Sequence, residues 1–353
     1  MNKRKLSRQQ RWRIDKIQAE RAARADKQAS RESESLEAGE YGAEQLGRVI
    51  AHFGRTLDVQ SAVDATLHRC HLRANLDGLV TGDRVIWRQA QDDSGVVVAR
   101  NPRDNVLERP DPRGQLKPVA ANIDQILIVF AVEPTPFANL IDRYLVAAEA
   151  TGISPVLVLN KIDLLPDGGG ELSELLNHYE QLGYTVVRAT TQHEQGLEAL
   201  HECLRGRTSV FVGQSGVGKS SLIDRLLPDE ALRIGALSED SRKGTHTTTT
   251  ARLYSLPAPA AGTLPTPAAD ALPGGGELID SPGIREFGLI HLNEQQVTEG
   301  FIEFRNLLGR CRFRDCRHRN EPGCALIDAV ERGDVTRQRF TSYRRILESL
   351  KQG

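Results

Sequence analysis

Residues 213–220 combine glycines, a lysine and a hydroxyl group at a spacing suited to binding phosphate. They read Gly-Gln-Ser-Gly-Val-Gly-Lys-Ser and fit the pattern G-x-x-x-x-G-K-[ST]. The glycines let successive backbone N–H groups turn inward around phosphate oxygens, Lys219 can reach the outer phosphates and assist catalysis, and the Ser220 hydroxyl can ligate Mg²⁺. The apolar run 209–212 and the helical sequence 221–227 supply the strand and helix that the pattern requires. The predicted phosphate-binding residues are Gly213, Gln214, Ser215, Gly216, Val217, Gly218, Lys219, Ser220 and Ser221.

A second polar group predicts which base the nucleotide carries. Asn160-Lys-Ile-Asp163 follows the apolar run 156–159 and resembles the N-K-x-D signature of GTPases. The Asp163 carboxylate can accept two hydrogen bonds from the N1–H and exocyclic amino group of guanine, and adenine would leave it unpaired. Asn160 and Lys161 would brace the site, and Ile162 belongs to the same binding segment. In isolation these residues could instead form a helix N-terminal cap, but the P-loop favours a guanine site.

Three shorter motifs are individually weak but informative together. Asp280-Ser-Pro-Gly283 resembles the D-x-x-G element, in which the Asp reaches Mg²⁺ through water and the Gly N–H contacts the γ-phosphate. The threonine-rich segment 244–250 is expected to be a switch that donates a Mg²⁺-ligating Thr. The segment 188–191, through Thr190, is expected to line the base.

The order of these motifs is unusual for a GTPase. Asn160 lies 53 residues before Gly213, whereas ordinary GTPases place N-K-x-D after D-x-x-G. Such a circular permutation preserves the sheet, because chain ends usually lie at the surface and often close together. Asp280 then falls near the end of the GTPase unit, from which a γ-phosphate-dependent shift could pass to the following region.

Three of the five cysteines form a cluster typical of a metal site. The spacing Cys311-x₄-Cys316-x-His318-x₅-Cys324 supplies three thiolates and one imidazole, a tetrahedral set suited to one structural Zn²⁺. The alternative is a chance group of thiols. Arginines alternate with the ligands, and a zinc-held loop would present them as a phosphate-binding surface. Cys70 and Cys203 are expected to fill the core instead.

The remaining pattern predicts a multidomain chain. Short β-rich runs between 45 and 99 indicate a small barrel of the OB type, with Phe53 and Trp87 in its core. Strand–helix alternation after 120 predicts an α/β P-loop fold with a mostly parallel sheet, followed by a mostly helical zinc-binding region. We predict a basic flexible tail and linker at 1–40, an OB-fold domain at 41–115, a permuted GTPase domain at 116–290 and a zinc-binding domain at 291–353.

Charge is segregated along the chain although the net charge is only −1. Residues 1–31 hold eleven Lys and Arg against three acids, and residues 301–353 hold twelve against seven. Both ends are therefore candidates for contacting RNA, although the tail could also be a disordered solubilising segment. No apolar run approaches the roughly 20 residues of a membrane span, and the basic start has no apolar stretch behind it. We expect a cytoplasmic monomer with no membrane partner.

The sequence resembles, over essentially its whole length, the bacterial ribosome small-subunit-dependent GTPase A family of circularly permuted GTPases. The matching stretches include AANIDQI, VLNKIDLL, GQSGVGKSSL, HTTTT, IDSPGIREFGL and CRFRDCRHRNEPGC. The resemblance implies an OB barrel, a permuted GTPase core and a zinc-binding region. It also implies a role in late maturation of the small ribosomal subunit and its rRNA, with hydrolysis of GTP to GDP and phosphate stimulated by that subunit. The loop 256–276 is longer than the family leads us to expect.

The catalytic group is less clear from the motifs. Ile284 follows D-x-x-G at the position where conventional small GTPases carry a water-orienting Gln, and an aliphatic chain cannot orient water. The resemblance suggests that His246 substitutes, and His is a reasonable water-positioner near neutral pH. His246 could instead be an exposed loop residue or an RNA contact. Thr248 is the best match to the Mg²⁺-ligating Thr, although the register among 247–250 stays open.

Two other function classes compete with a ribosome-stimulated GTPase. One is an RNA-binding module that uses GTP mainly to change its affinity, which RNA-bound lifetimes with GTP and a non-hydrolysable analogue would distinguish. The other is a metabolic P-loop enzyme, which would be stimulated by a small molecule and would not associate with ribosomes.

Overall fold

The structure is a computed structural model that describes residues 41–73, 76, 78–111, 114–166, 168–227, 251–257, 275–280 and 292–350. It divides into two compact units, the first ending at Pro102 and the second beginning at Arg103. The four-part division predicted from the sequence, with its own boundaries, stays a prediction. Among the described helices, none is both long and apolar enough to cross a lipid bilayer.

The described part of the first unit is a closed five-stranded barrel. Its strands are β1 Tyr41–Phe53, β2 Thr56–Ser61, β3 Leu67–Leu72, β4 Arg84–Ala90 and β5 Gly95–Arg100. Strand β1 pairs with β2 and β4, β2 with β3, and β5 with β4, all antiparallel, while β3 and β5 pair in parallel and complete the ring. Closure removes exposed sheet edges, and the OB-type barrel predicted from the short strands is confirmed.

The barrel core is built around the indole of Trp87, which is fully buried as predicted. A Cβ at Gly47 would lie 2.8 Å from the indole, and one at Gly95 would lie 2.8 Å from both the indole and the Cys70 sulfur. These two glycines therefore make room for the large ring. The expectation that Phe53 is also in the core is wrong. Phe53 is 39% exposed and its ring packs under the Arg69 guanidinium, 4.7 Å away, because β1 ends there at the barrel rim.

The second unit contains a hairpin and an α/β sheet. The hairpin is β6 Val106–Pro110 with β7 Leu116–Ala121, and the sheet strands are β8 Gln125–Ala131, β9 Ser154–Asn160, β10 Thr185–Arg188, β11 Thr208–Val212, β12 Arg252–Ser255 and β13 Glu277–Asp280. The order is β10-β9-β8-β11-β13-β12, with β12 antiparallel to its neighbour and the other pairs parallel. The mostly parallel sheet is confirmed; the hairpin was not predicted.

Helices cover the sheet because its central strands are apolar on both faces. All seven residues of β8 are buried, which is typical of a strand packed between helical layers. The helices of this part are α1 Ala138–Thr151, α2 Gly170–Gln181, α3 Glu198–Leu204 and α4 Lys219–Leu226. Leucines of α3 and α4 pack with β8 and β9 in one apolar core.

The C-terminal part of the second unit is mostly helical, as predicted. It contains α5 Glu294–Glu299, a 3₁₀ turn at Ile302–Leu307, α6 Ala325–Arg332 and α7 Arg337–Leu350. The rings of Phe301 and Phe304 stack at 4.9 Å, and Tyr343 meets both edge-on. This aromatic core also includes Val146 of α1, so the helical region packs against a helix of the α/β part inside one compact unit.

Candidate nucleotide site and metal centre

The predicted P-loop connects strand β11 to helix α4. Its first residue, Gly213, has a φ of 139°, and a Cβ there would lie 2.1 Å from the carbonyl oxygen of Val129. Only glycine allows this close approach to the neighbouring strand. The Lys219 ammonium donates to the carbonyl of Gly213 at 2.6 Å and to that of Gln214. The lysine thus lies across the loop expected to surround the phosphates.

The N-K-x-D segment contacts the P-loop directly. The Asn160 side-chain amide donates to the carbonyl of Val217 at 2.9 Å, and a Cβ at Gly218 would lie 2.4 Å from that amide nitrogen. Asn160 is 2% exposed, and its Oδ1 has no hydrogen-bond partner among the described residues. A buried oxygen without a partner is costly unless a ligand or water satisfies it, so this atom fits a site for a nucleotide base.

Lys161 ties together the P-loop and a third segment. Its ammonium donates to the carbonyls of Gly216 at 3.1 Å and Glu133 at 2.7 Å. Glu133 belongs to the loop between β8 and α1, and Lys161 itself has a φ of 60°. The Lys161 side chain is thereby held between the P-loop and the loop that follows β8.

Asp163, predicted to bind the guanine base, and Thr190, predicted to line it, are in direct contact. The Thr190 hydroxyl donates a short hydrogen bond to Oδ1 of Asp163, and Gln192 N–H donates to that hydroxyl at 3.2 Å. Asp163 and Ile162 lie in the short 3₁₀ turn Ile162–Leu164 after β9, where Asp163 is exposed. A carboxylate has acceptor sites for a base in addition to the one that Thr190 uses.

Parallel strand ends bring the motifs to one edge of the sheet. Asp280 is the last residue of β13, and that strand runs parallel to β11, whose carboxyl end begins the P-loop. Asn160 ends β9 at the same edge, opposite Ala131 of β8. Ligands of open α/β sheets bind at this edge. Ser220 and Ser221 are exposed in the first turn of α4. His246, Thr248 and Gly283, together with most of the loop 256–276, lie outside the described residues.

The cysteine cluster has the dimensions of a tetrahedral metal site. The ligand atoms of Cys311, Cys316, His318 and Cys324 all lie within 4.8 Å of one another. His318 Nδ1 lies 3.5, 3.6 and 3.3 Å from the three sulfurs, taken in chain order. Zinc–sulfur and zinc–nitrogen bonds of about 2.3 and 2.0–2.1 Å in tetrahedral geometry give about 3.6 Å between sulfur and nitrogen. The donor set therefore fits Zn²⁺ in type and in spacing.

The protonation preferences of the cluster also bear on metal binding. Burial raises the pKa of the Cys316 and Cys324 thiols and lowers the pKa of the His318 imidazole. In the metal-free form these preferences keep the thiols protonated, so a metal must displace thiol protons to bind.

Glu321 holds the loop around His318 and was missed by sequence reasoning. Its carboxylate accepts hydrogen bonds from the backbone N–H groups of Arg319 at 2.7 Å, Asn320 at 3.1 Å and Arg317 at 3.1 Å. These backbone hydrogen bonds, led by that of Arg319, lower the pKa of Glu321 to about 2. The loop is thereby fixed with His318 at a φ of 55°. The only sequence signal was an acid placed just before a Pro-Gly turn.

A basic cleft lies beside the cysteine cluster. It has a volume of about 180 Å³ and is lined by the cationic Arg317, Arg319 and Arg344, with Glu348 as the one acid among its residues. The first two arginines come from the cysteine-rich loop and the third from α7. The cysteine-rich loop and α7 thus place three guanidinium groups around a cleft suited to an anion.

A P-loop next to a guanine-type base reader, with the reader first in the chain, defines a circularly permuted P-loop GTPase. The model of the RsgA GTPase family matches residues 100–290. This chain belongs to that family, and it is a GTP hydrolase. Membership implies GTP and GDP as substrate and product and Mg²⁺ as the metal ion. The resemblance drawn from the sequence motifs is confirmed.

Curated relatives match along the whole chain. The small ribosomal subunit biogenesis GTPase RsgA of Chromohalobacter salexigens is 70% identical over 353 residues, covering 99% of each chain. The protein of the same name from Pseudomonas aeruginosa is 55% identical and covers 100% of this chain and 99% of its own.

Two solved structures share the fold. YjeQ from Thermotoga maritima superposes with a TM-score of 0.69 at 30% identity, covering 87% of this chain and 99% of its own. YloQ, a circularly permuted GTPase, gives a TM-score of 0.67 at 25% identity, covering 88% and 96%.

Proposed function

We propose that this GTPase acts in biogenesis of the small ribosomal subunit, binding that subunit and hydrolysing GTP with stimulation by it. The observation that carries the proposal is the 70% identity, over nearly the whole of both chains, to a protein named for this role. Late maturation is the stage that the sequence resemblance implies. We further propose that the protein is a cytoplasmic monomer, since its proposed partner, the small ribosomal subunit, lies in the cytoplasm.

Guanine recognition is assigned to the N-K-x-D segment and the loop that follows β10. The Asp163 carboxylate accepts from the base, Asn160 braces the P-loop, and the Lys161 stem covers the ring, as their contacts with Val217 and Gly216 support. Thr190 lines the base through its hydrogen bond to Asp163.

Hydrolysis is assigned to the P-loop, the threonine-rich switch segment 244–250 and the D-x-x-G element 280–283. Backbone N–H groups of 213–218 and the Lys219 ammonium bind the β- and γ-phosphates, which neutralises charge as the γ-phosphoryl group departs. Ser220, Thr248 and Asp280 would hold Mg²⁺, which would supply positive charge at the phosphates, and the Gly283 N–H would contact the γ-phosphate. Water attacks the γ-phosphorus, the bond to the β–γ bridging oxygen breaks, and GDP leaves with inorganic phosphate. His246 orients that water.

The cysteine cluster is proposed to bind one structural Zn²⁺. Four protein donors leave no position for a reacting water, and the sulfur–nitrogen distances support a closed tetrahedral site. Together with the +8 tail at 1–31, the arginine cleft beside the cluster is proposed to contact rRNA phosphates.

Co-sedimentation with purified ribosomal subunits tests the proposed partner. The protein should sediment with small subunits in the presence of a non-hydrolysable GTP analogue and less so with GDP. The Lys219→Ala variant should lose this nucleotide dependence, because its P-loop cannot hold the outer phosphates. Equal sedimentation with large subunits, or none with small subunits, would contradict the proposal.

A further inference from the structure

The 3₁₀ turn Glu194–Leu197 packs against Thr190 so closely that no side chain fits at Gly196. A Cβ on Gly196 would lie 2.4 Å from the carbonyl oxygen of Thr190 and 2.6 Å from its Cγ2. Gly196 is not among the residues with a positive φ, so its backbone conformation would itself accept alanine. Close approach alone, rather than backbone strain, therefore requires glycine at this position.

One backbone hydrogen bond closes the turn, and a second holds it against Thr190. Gly196 N–H donates to the carbonyl of His193 at 3.1 Å, and Thr190 N–H donates to the carbonyl of Gly196 at 3.0 Å. The turn thus fixes the backbone of the residue that carries the base-lining hydroxyl. A methyl group at Gly196 would push the turn and Thr190 apart by several tenths of an ångström.

Thr190 passes this constraint to Asp163. Its side chain is buried at 2% exposure, and its hydroxyl is used twice, as donor to Asp163 and as acceptor from Gln192 N–H. Both contacts fix the rotamer of Thr190. Asp163 is exposed, so without this partner its carboxylate would be free to rotate, and ordering it would weaken binding.

We infer that Gly196 is a positioning residue for guanine recognition, acting through Thr190 on the Asp163 carboxylate. The inference rests on the proposed function, in which Asp163 reads the base. It assigns specificity to a residue that is not expected to touch the nucleotide. Gly196 stands outside both the N-K-x-D segment and the P-loop, so no sequence motif points to it.

The test compares affinities for GDP and inosine diphosphate, which lacks the exocyclic amino group. In the wild-type protein the hydrogen bond that the exocyclic amino group of guanine donates to Asp163 should favour GDP by about 10- to 100-fold. Gly196→Ala should lower the ratio of the affinities for GDP and inosine diphosphate by at least about threefold, because a displaced Asp163 carboxylate loses its hydrogen bond with the exocyclic amino group. A merely structural defect would weaken both nucleotides equally and leave the ratio unchanged, which would overturn the inference.

Two variants of Thr190 test whether Gly196 acts through the Thr190 hydroxyl. Thr190→Val removes the hydroxyl and should lower the ratio, whereas Thr190→Ser keeps the hydroxyl and should restore most of it. The double variant Thr190→Val with Gly196→Ala should lose no more than Thr190→Val alone, because both act on one contact. An unchanged ratio in Thr190→Val would overturn the inference even if Gly196→Ala failed to fold.

Two controls separate this inference from the proposed base reading. Asp163→Asn should abolish the preference for GDP; if it does not, the base reading itself is wrong. If Asp163→Asn abolishes the preference while Gly196→Ala leaves it intact, only the role of Gly196 is wrong. Gly42→Ala is the matched glycine control, since its added Cβ would meet only the Gln89 carbonyl at an ordinary 3.6 Å.

Discussion

The guanidinium of Arg339 donates a 2.6 Å hydrogen bond to the Asp142 carboxylate, and neither side chain is exposed to solvent. Glu303 accepts two further bonds from the same guanidinium, at 2.6 and 2.9 Å. Burial alone would lower the pKa of Arg339, but its hydrogen bonds to Glu303 and the charge of Asp142 outweigh burial and raise it. Arg339 lies on α7 and Asp142 on α1. A buried ion pair therefore joins the C-terminal helical region, which carries the cysteine cluster, to helix α1 of the α/β part.

Removing the cation should destabilise the second unit strongly. Arg339→Met leaves Asp142 and Glu303 buried without a counter-charge, so the free energy of unfolding should fall by about 3–5 kcal/mol. Arg188→Ala is the control, because its 3.0 Å ion pair with Glu180 is exposed and should be worth about 0–1 kcal/mol. Urea unfolding followed by circular dichroism measures both, because all the described α-helices lie in the second unit. Equal losses of unfolding free energy in the two variants would contradict the claim that the buried ion pair contributes more than an exposed one.

Acidification should lower the stability of the second unit, because His178 takes up a proton more readily in the unfolded chain. Burial, followed by the nearby charge of Arg339, lowers the pKa of His178 below its usual value of about 6.5. The unfolded chain therefore takes up the proton first, and stability is lost as the pH falls from 6.5 toward the lowered pKa. His178→Gln should flatten the fall in Tm between pH 7.5 and 5.5. The exposed His193 is the control, and a wild-type slope in His178→Gln would contradict this origin.

Metal content should depend on the cysteine cluster and on no other thiol. Purified wild-type protein should carry one zinc per chain, and Cys316→Ser should reduce that to nearly none, because three donors bind far more weakly than four. Cys203→Ser should keep its zinc, since that sulfur lies near Gln125 and away from the cluster. Metal analysis by mass spectrometry decides the point. Wild-type protein that folds without zinc would contradict a structural metal.

Deleting residues 1–31 should separate docking from nucleotide binding. The deletion removes a net charge of +8, so binding to small subunits should weaken and lose part of its salt dependence. Affinity for GTP should stay within about twofold, because all residues of the proposed nucleotide site belong to the second unit. Filter binding at several salt concentrations gives both values. Equal losses in the two affinities would argue against the tail as a docking element.

Local sequence was sufficient to predict the nucleotide motifs and most of the sheet. The apolar runs 156–159 and 209–212 lie in strands β9 and β11, and the helical sequence predicted at 221–227 lies mostly in α4 Lys219–Leu226. Such features depend on neighbouring residues, since apolar runs form strands and glycines form the P-loop. The hairpin β6–β7 was missed because Pro110, Pro118 and several charges interrupt its alternation.

Long-range polar contacts could not be predicted from the sequence. Arg339 belongs to the basic segment 301–353 that the sequence suggests for contacting RNA, yet it is fully buried because Asp142, 197 residues away, neutralises it. The support that Gly196 gives to Thr190 was hidden for a different reason. A glycine in a short turn carries no sign of which neighbour it approaches.

GTP turnover with and without purified small ribosomal subunits tests the central claim most directly. Small subunits should raise turnover by at least about tenfold, with large subunits as the control. His246→Ala should bind GTP nearly as tightly as the wild type while losing most of the stimulation; full stimulation in that variant would contradict its role alone. A wild-type protein whose turnover does not respond to small subunits would contradict the account as a whole.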